Sequence, residues 1–190
     1  MILSLFLKYY KKTQRNLYRN TETKRNKTKL STEIKMQYET LTMQEMNILI
    51  EDGFWVIKPC PNKIQQHFDN ELEYVLRDKS IGIHFNINRE IPSNATDEQI
   101  RESSATLNND SKKQSRKMVK QFVDGMRIGD KIIIARGKEQ SLYICDITSS
   151  HYFQDNEETS FKIRRRIDNI RRVPEEFERR SLVQTLRYYE

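Results

Sequence analysis

Two neighbouring groups of residues stand out for the chemistry they can do. His151, Tyr152 and Phe153 are consecutive rings in a polar stretch, ITSSHYFQD, that follows an apolar run. Successive side chains of an extended chain point to opposite sides, so Tyr152 and Phe153 cannot both enter one core. One of them is expected at the surface or in a cleft. Further on, Lys162, Arg164, Arg165, Arg166, Arg171 and Arg172 form a basic run with Asp168 the one acidic residue inside it. On a strand, Arg164 and Arg166 share a face and Arg165 takes the other. One face then suits phosphate while the other pairs with Asp155, Glu157, Glu158 or the last helix, or the run is simply a solvated surface. Stacking rings and phosphate-holding guanidinium groups are binding chemistry. Bond-making chemistry is not indicated, because a phosphate-cradling Gly-rich loop, Cys/His metal spacing and a glycine-framed nucleophile are all missing from the sequence. Asp130, Lys138 and Glu139 lie close together in sequence without the spacing of a nuclease centre. Gly129-Asp130 reads instead as a turn into a strand, its carboxylate capping local backbone N–H groups. No catalytic residue, metal ligand or cofactor is therefore expected.

The elements that must position these residues belong to one domain, since 190 residues allow a single core of ordinary size plus extensions. With 36% hydrophobic and 32% charged residues, five Gly and four Pro, the composition is that of a highly charged globular chain. The net charge of +7 is unevenly placed: Lys8 to Lys35 holds ten basic residues against Glu22 and Glu33, a local +8 that leaves the rest near −1. Residues 1–36 are accordingly read as a basic, disordered arm able to attract phosphates without regard to sequence, and 37–190 as the domain. The opening MILSLFL is too short to cross a bilayer, and its basic residues follow it where a signal peptide would place them in front. An intracellular chain without a membrane partner is expected, cytoplasmic or, in a eukaryote, nuclear. Cys60 and Cys145 stand far apart and suggest reduced, largely buried thiols.

Along the domain, Thr42 with Glu45 has capping-box spacing and opens a short helix that stops near Gly53. Phe54 to Lys58 alternates as a strand that ends before Pro59 and Pro61. Ile64, Phe68, Leu72, Val75 and Leu76 give residues 62–76 an amphipathic helical face, and IGIHF (81–85) follows as a strand. Thr96 and Gln99 open a helix expected to reach Asn108 or Asn109, and another runs from about Ser111 to Asp124. Strands are expected at 131–135 and 142–148, joined by a turn at Gly137, and again at 161–173, before a last helix after Pro174. Clustered strands with helices packed outside give an α+β class with a curled, mostly antiparallel sheet.

The series FWVIKP, an amphipathic helix, IGIHF, SRKMVKQFVDGMRIGDKIIIARG, LYICDITSSHYFQD and FKIRRRIDNIRRVP resembles the PUA-like clan. Within that clan it is similar to EVE and YTH domains and to the modified-base-reading modules of Mrr- and McrB-type restriction systems, over residues 53 to 180. FWVIK is similar to the openings of EVE and YTH domains, and MRIGDKIII to their Gly-Asp approach to a strand. The resemblance implies a PUA-like, curled mixed barrel that reads a flipped, often methylated, base in an aromatic slot while basic residues hold the backbone. It places His84 and Phe85 where relatives carry a pocket tryptophan, His151, Tyr152 and Phe153 on the second wall, and Lys58, Arg164 and Arg165 against the nucleic-acid backbone. Asn169 departs from restriction-type relatives, which carry an aromatic nearby. Trp55 is either pocket floor or core, since its place in the strand alternation allows both.

The physical terms are sufficient for such a reader. Extruding a base costs roughly a few kcal/mol, stacking on one ring returns about 1–3 kcal/mol, and burying a methyl adds about 0.8 kcal/mol. Nucleic acid, DNA or RNA and methylated or not, is the partner this implies. A PUA-like interaction or regulatory protein with an effector partner and no base pocket is the second reading, and a nucleic-acid-processing enzyme the third.

Overall fold

A computed structural model describes residues 37–58, 65–136, 140–155, 161–178 and 186–189. The expected basic arm, Cys60, the turn at Gly137 and the acidic pair Glu157 and Glu158 lie outside these residues. Glu39–Glu190 forms one compact unit.

Its elements follow from local signals. Helix α1 (Met43–Leu49) opens on a complete capping box: Glu45 N–H donates to Thr42 Oγ1 at 3.2 Å, and the Thr42 N–H to Glu45 Oε2 at 2.8 Å. The Thr42 N–H first, and the Thr42 hydroxyl second, donate to the Glu45 carboxylate and hold it below its usual range. Met46 is the buried anchor of α1, and Gly53, at φ 91°, turns the chain into β1 (Phe54–Ile57). Helix α2 (Gln65–Asp78) ends on Lys79 in the left-handed region and leads to β2 (Ser80–Ile83), which starts one residue before IGIHF and ends two residues short of it. Helix α3 (Asp97–Glu102) has the capping box expected from Thr96 and Gln99 but stops well before Asn108. A 3-10 turn at Asp110–Lys112 opens α4 (Lys113–Lys120), which widens into a π-helical turn over Gln121–Gly125. Strands β3 (Lys131–Arg136), β4 (Gln140–Ile147), the two-residue β5 (Tyr152–Phe153) and β6 (Ile163–Arg172) follow, then the short α5 (Glu175–Glu178) and β7 (Leu186–Tyr189).

The fold is α+β, with a curled, mixed half-barrel sheet ordered β2-β6-β4-β3-β1-β7. Strands β1 and β3 are parallel, and the other pairs are antiparallel. Curling has an identifiable source between β4 and β6, where Asn169, at φ 50°, supplies an extra residue between the Ile144–Arg171 and Asp146–Asp168 pairs. Such a bulge bends and twists the strand that carries it. Strand β5 continues the β4 side of the β6 ladder after Thr148–His151 leave it.

Register separates two faces, since residues directly opposite across a ladder share one. Val56, Ile133 and Ile144 lie on the first, in a core cluster with Leu41, Met46, Phe54, Val173 and Phe177, under α1 and α5. Trp55, Ile132 and Cys145 lie on the second. Because both faces are covered, every residue of β1 is buried. Cys145 is fully buried, which pushes its thiol pKa far up and keeps it neutral.

Among the described residues no helix is long and apolar enough to cross a membrane.

One clamp fixes α3 to α4. Arg116, only 3% exposed, gives Nε to Asp97 Oδ1 at 2.8 Å and Nη1 to the Leu107 and Asn109 carbonyls at 3.1 and 2.9 Å. Arg101 Nε adds a 3.1 Å bond to Asp97 Oδ2. The Arg116 bond first, and Arg101 second, hold the Asp97 carboxyl below its usual range. A depressed carboxylate contributes stability above its unfolded pKa of about 4 and loses it as pH falls through the lower folded value. Asp97→Asn is therefore expected to lower the midpoint of thermal unfolding at pH 7, with the gap to wild type closing below about pH 4. A gap of constant size from pH 7 to pH 2, measured by circular dichroism, would remove the ion pair from this explanation.

Candidate nucleic-acid interface

Strand alternation sends Arg164 and Arg165 to opposite faces, and the fold covers both. Arg165 is 2% exposed on the second face. Its Nε donates to the Phe122 carbonyl at 2.8 Å, Nη2 to Val123 at 2.7 Å and Nη1 to Ser149 at 3.1 Å. Its guanidinium carbon lies 5.7 Å from the Phe122 ring centre. Burial lowers the pKa of Arg165, while Asp130 and Asp124 partly offset that effect. Arg164 is fully buried on the first face, beneath α2. It donates to the Phe161 carbonyl at 2.9 Å and to the Tyr74 hydroxyl, and its charge lies 5.1 Å from the Tyr74 ring centre and 3.8 Å from Asp78 Oδ2. Lys58, at the end of β1, is also buried. Lys58, Arg164 and Arg165, expected against a nucleic-acid backbone, are thus all buried in the protein. The arginines spend their donors inside the protein, because alternation fixes a side chain's face but not what will cover it.

Three segments meet at one end of the sheet, two of them held by Arg165. The π-helical turn supplies two carbonyls and Thr148–His151 supplies a third. The third segment, residues 84–96, reaches both of the others: the Asn94 N–H donates to Asp124 Oδ1 at 2.7 Å, and His151 Nε2 lies 2.8 Å from the Ile91 carbonyl. Asn86 and Asn94 take left-handed conformations here, which asparagine tolerates better than most residues. Ser104 Oγ bonds the Phe85 carbonyl and ties the start of the segment to the end of α3. A π turn, a left-handed asparagine bonded to it and a buried cation make a hydrogen-bonded, polar junction, and π turns recur at functional sites.

The ring residues divide around this junction. His151 belongs to it, and Phe153 is half-buried on the Arg165 side of the sheet, in register with Ile163. Phe85 is half-buried in the bend after β2. His84 and Tyr152 lie on the first face: His84 meets the Phe161 ring edge-on at 4.6 Å, and Arg166 lies 5.3 Å from the Tyr152 ring centre. The Tyr152 hydroxyl is buried beside Ser80, which gives its own hydroxyl to Asp78. Burial accordingly raises the Tyr152 pKa. Trp55 takes the core alternative. It is 6% exposed, lies 5.1 Å from the Tyr188 ring and donates its indole N–H to Asp130 Oδ2 at 2.8 Å. The same carboxylate oxygen accepts the Arg127 N–H at 2.9 Å, the capping role that the Gly129-Asp130 turn suggests.

Residues 63–184 match a family described as a domain of unknown function (DUF8426). The chain belongs to that family. The DUF8426 span takes in the whole junction, from the segment after β2 to β6, and omits α1, β1 and β7, so Trp55 and Lys58 fall outside it. Neither a curated protein nor a solved structure gives a significant match to the chain.

Sequence reasoning missed the π turn and Arg116. Arg116 does carry a signal, since it falls on the same helical side as Val119 and Val123 and is thereby directed inward. Among the described residues no group of three His, Cys, Asp or Glu is placed to hold a metal ion.

Proposed function

We propose that this domain is a nucleic-acid reader of PUA-like architecture that holds one extruded base, methylated or not, at the junction of residues 84–96, Thr148–His151 and the π turn. The observation that carries the reading is the junction itself: loop segments pinned by Arg165 and His151, which carry the half-buried rings of Phe85 and His151 and lead to that of Phe153. Rigid loops lower the ordering cost of binding, and rings set in them can replace the stacking an extruded base loses. The order of sequence motifs shared with EVE and YTH domains supports the same reading. The buried arginines then act as positioning residues, and backbone contact falls to exposed cations.

The test is fluorescence anisotropy of the full chain with short single-stranded DNA and RNA, with and without N6-methyladenine or 5-methylcytosine. Phe85→Ala and His151→Ala are each expected to weaken binding of the preferred oligonucleotide about 5- to 150-fold, the range that losing one stacking contact spans. Binding to all oligonucleotides should then become more nearly equal. Equal losses across every oligonucleotide would move base selection away from the junction. The burial of Trp55 and the division of the rings between two faces favour a second reading, a PUA-like interaction protein without a base slot. Absence of binding at low salt would leave that reading in place.

A further inference from the structure

Helix α4 presents a cationic stripe that the sheet does not use. Lys113, Lys117 and Lys120 are exposed, and no described residue forms an ion pair or hydrogen bond with their side chains. At about 100° per residue they fall within roughly 60° of one another around the helix axis. They border a groove between α3 and α4, beside Ser111 and Gln114, whose acidic lining residue is Asp97. That carboxylate is already neutralised by Arg116 and Arg101, so the field in the groove is left to the lysines. The stripe is a local concentration of charge rather than a sample of a basic surface. Residues 111–123 contain no acidic residue, whereas the chain outside Lys8 to Lys35 sums to about −1.

We infer that this groove binds the phosphate backbone of a nucleic-acid strand, an inference that rests on the reader function above. Lys113 to Lys120 spans about 10 Å of helix at 1.5 Å per residue, long enough to lie along a few consecutive phosphates of one strand. Direction matters as much as length. Lys120 immediately precedes the π turn whose carbonyls hold Arg165, so a strand lying along α4 runs into the junction where the base is read. Affinity and selectivity then come from adjacent parts of one surface, the lysines fixing register and the rings choosing the base.

The experiment compares the full chain with its triple variant Lys113→Gln, Lys117→Gln and Lys120→Gln by anisotropy on a labelled single-stranded 12-mer, at sodium chloride concentrations from 25 to 300 mM. Glutamine keeps helix propensity nearly unchanged, and circular dichroism should give the wild-type spectrum and unfolding midpoint. The expected result is at least a tenfold loss of affinity at 100 mM salt for methylated and unmethylated oligonucleotides alike. The slope of log K against log salt should become shallower by about 2, at roughly 0.7 for each of three phosphates. An unchanged slope in a chain that still binds would overturn the groove while leaving the reader function standing. Failure of the wild-type chain to bind at 25 mM salt would overturn both. Lysine-dependent binding to phosphatidylserine vesicles, with none to the oligonucleotides, would replace nucleic acid with a membrane surface.

Discussion

Arg165→Met is expected to destabilise the domain by about 3–5 kcal/mol, seen as a large fall in the urea midpoint. Methionine approximates the aliphatic length of arginine, so the loss is not mainly one of volume. It comes from the carbonyls of Phe122, Val123 and Ser149, which lose their donors where water cannot readily replace them. Each such group left unsatisfied costs about 1–3 kcal/mol, and partial rehydration of the Ser149 carbonyl brings the sum into the stated range. Arg166→Met is the matched control. Arg166 is exposed and bonds Asp78, so its removal should cost no more than about 1 kcal/mol. Beyond stability, Arg165→Met should loosen the junction, and hydrogen exchange should accelerate at Phe122 and Val123 and across Thr148–His151. Similar midpoint shifts for the two variants would show that Arg165 does not hold these segments together.

Gly82→Ala is the second substitution expected to have a large effect, although it adds a single methyl group. Gly82 pairs with Arg164 across the β2–β6 ladder, on the face where Phe161 and α2 pack. A Cβ there would overlap Phe161 Cβ and stand 2.7 Å from Phe161 Cγ and 2.9 Å from the Ile163 carbonyl oxygen. Two of those three atoms belong to the β-carbon and backbone of packed residues, so the strain cannot be relieved by turning the end of a flexible side chain. Overpacking of this kind costs about 1–3 kcal/mol. The effect should also reach His84, whose ring rests on Phe161, and an NMR shift of the His84 ring protons would report it. A Gly82→Ala variant with wild-type stability and an unshifted His84 would contradict the close approach.

How much could be read from the sequence depended on whether a signal was local. The Thr42/Glu45 and Thr96/Gln99 capping boxes involve residues three apart, and both form. The sharing of one face by Arg164 and Arg166 follows from strand periodicity, and both lie beside Asp78. Burial is a different kind of information. Nothing near Arg164 or Arg165 announces Tyr74 or the π turn, which are supplied from 90 and 43 positions away. The same limit hid the Trp55–Asp130 bond, which links residues 75 apart. Strand β7 was missed because Pro174, Glu175 and Glu176 announce a helix start, whereas the pairing of Leu186–Tyr189 with β1 is a tertiary event. The Tyr152-Phe153 pair was expected in a loop, and the two residues instead resume a ladder with β6. The expectation drawn from alternation still applies: Tyr152 shares a face with Arg164, and Phe153 with Ile163 on the opposite one.

These placements change the division of labour that the basic run suggests. Arginines that look suited to phosphate are internal clamps, whereas Lys113, Lys117 and Lys120, exposed and without an ion-pair partner among the described residues, lie on α4, beside the junction they would serve. The most direct test is photo-crosslinking of the full chain to a single-stranded oligonucleotide with one 5-iodouracil beside the preferred base, with crosslinked peptides mapped by mass spectrometry. The expected crosslinks fall on Phe85, His151 or Phe153, within residues 84–96 and 148–155, and are lost on competition with the same unlabelled strand. Crosslinks confined to residues 1–36, or to neither junction segment, would contradict base reading at this site.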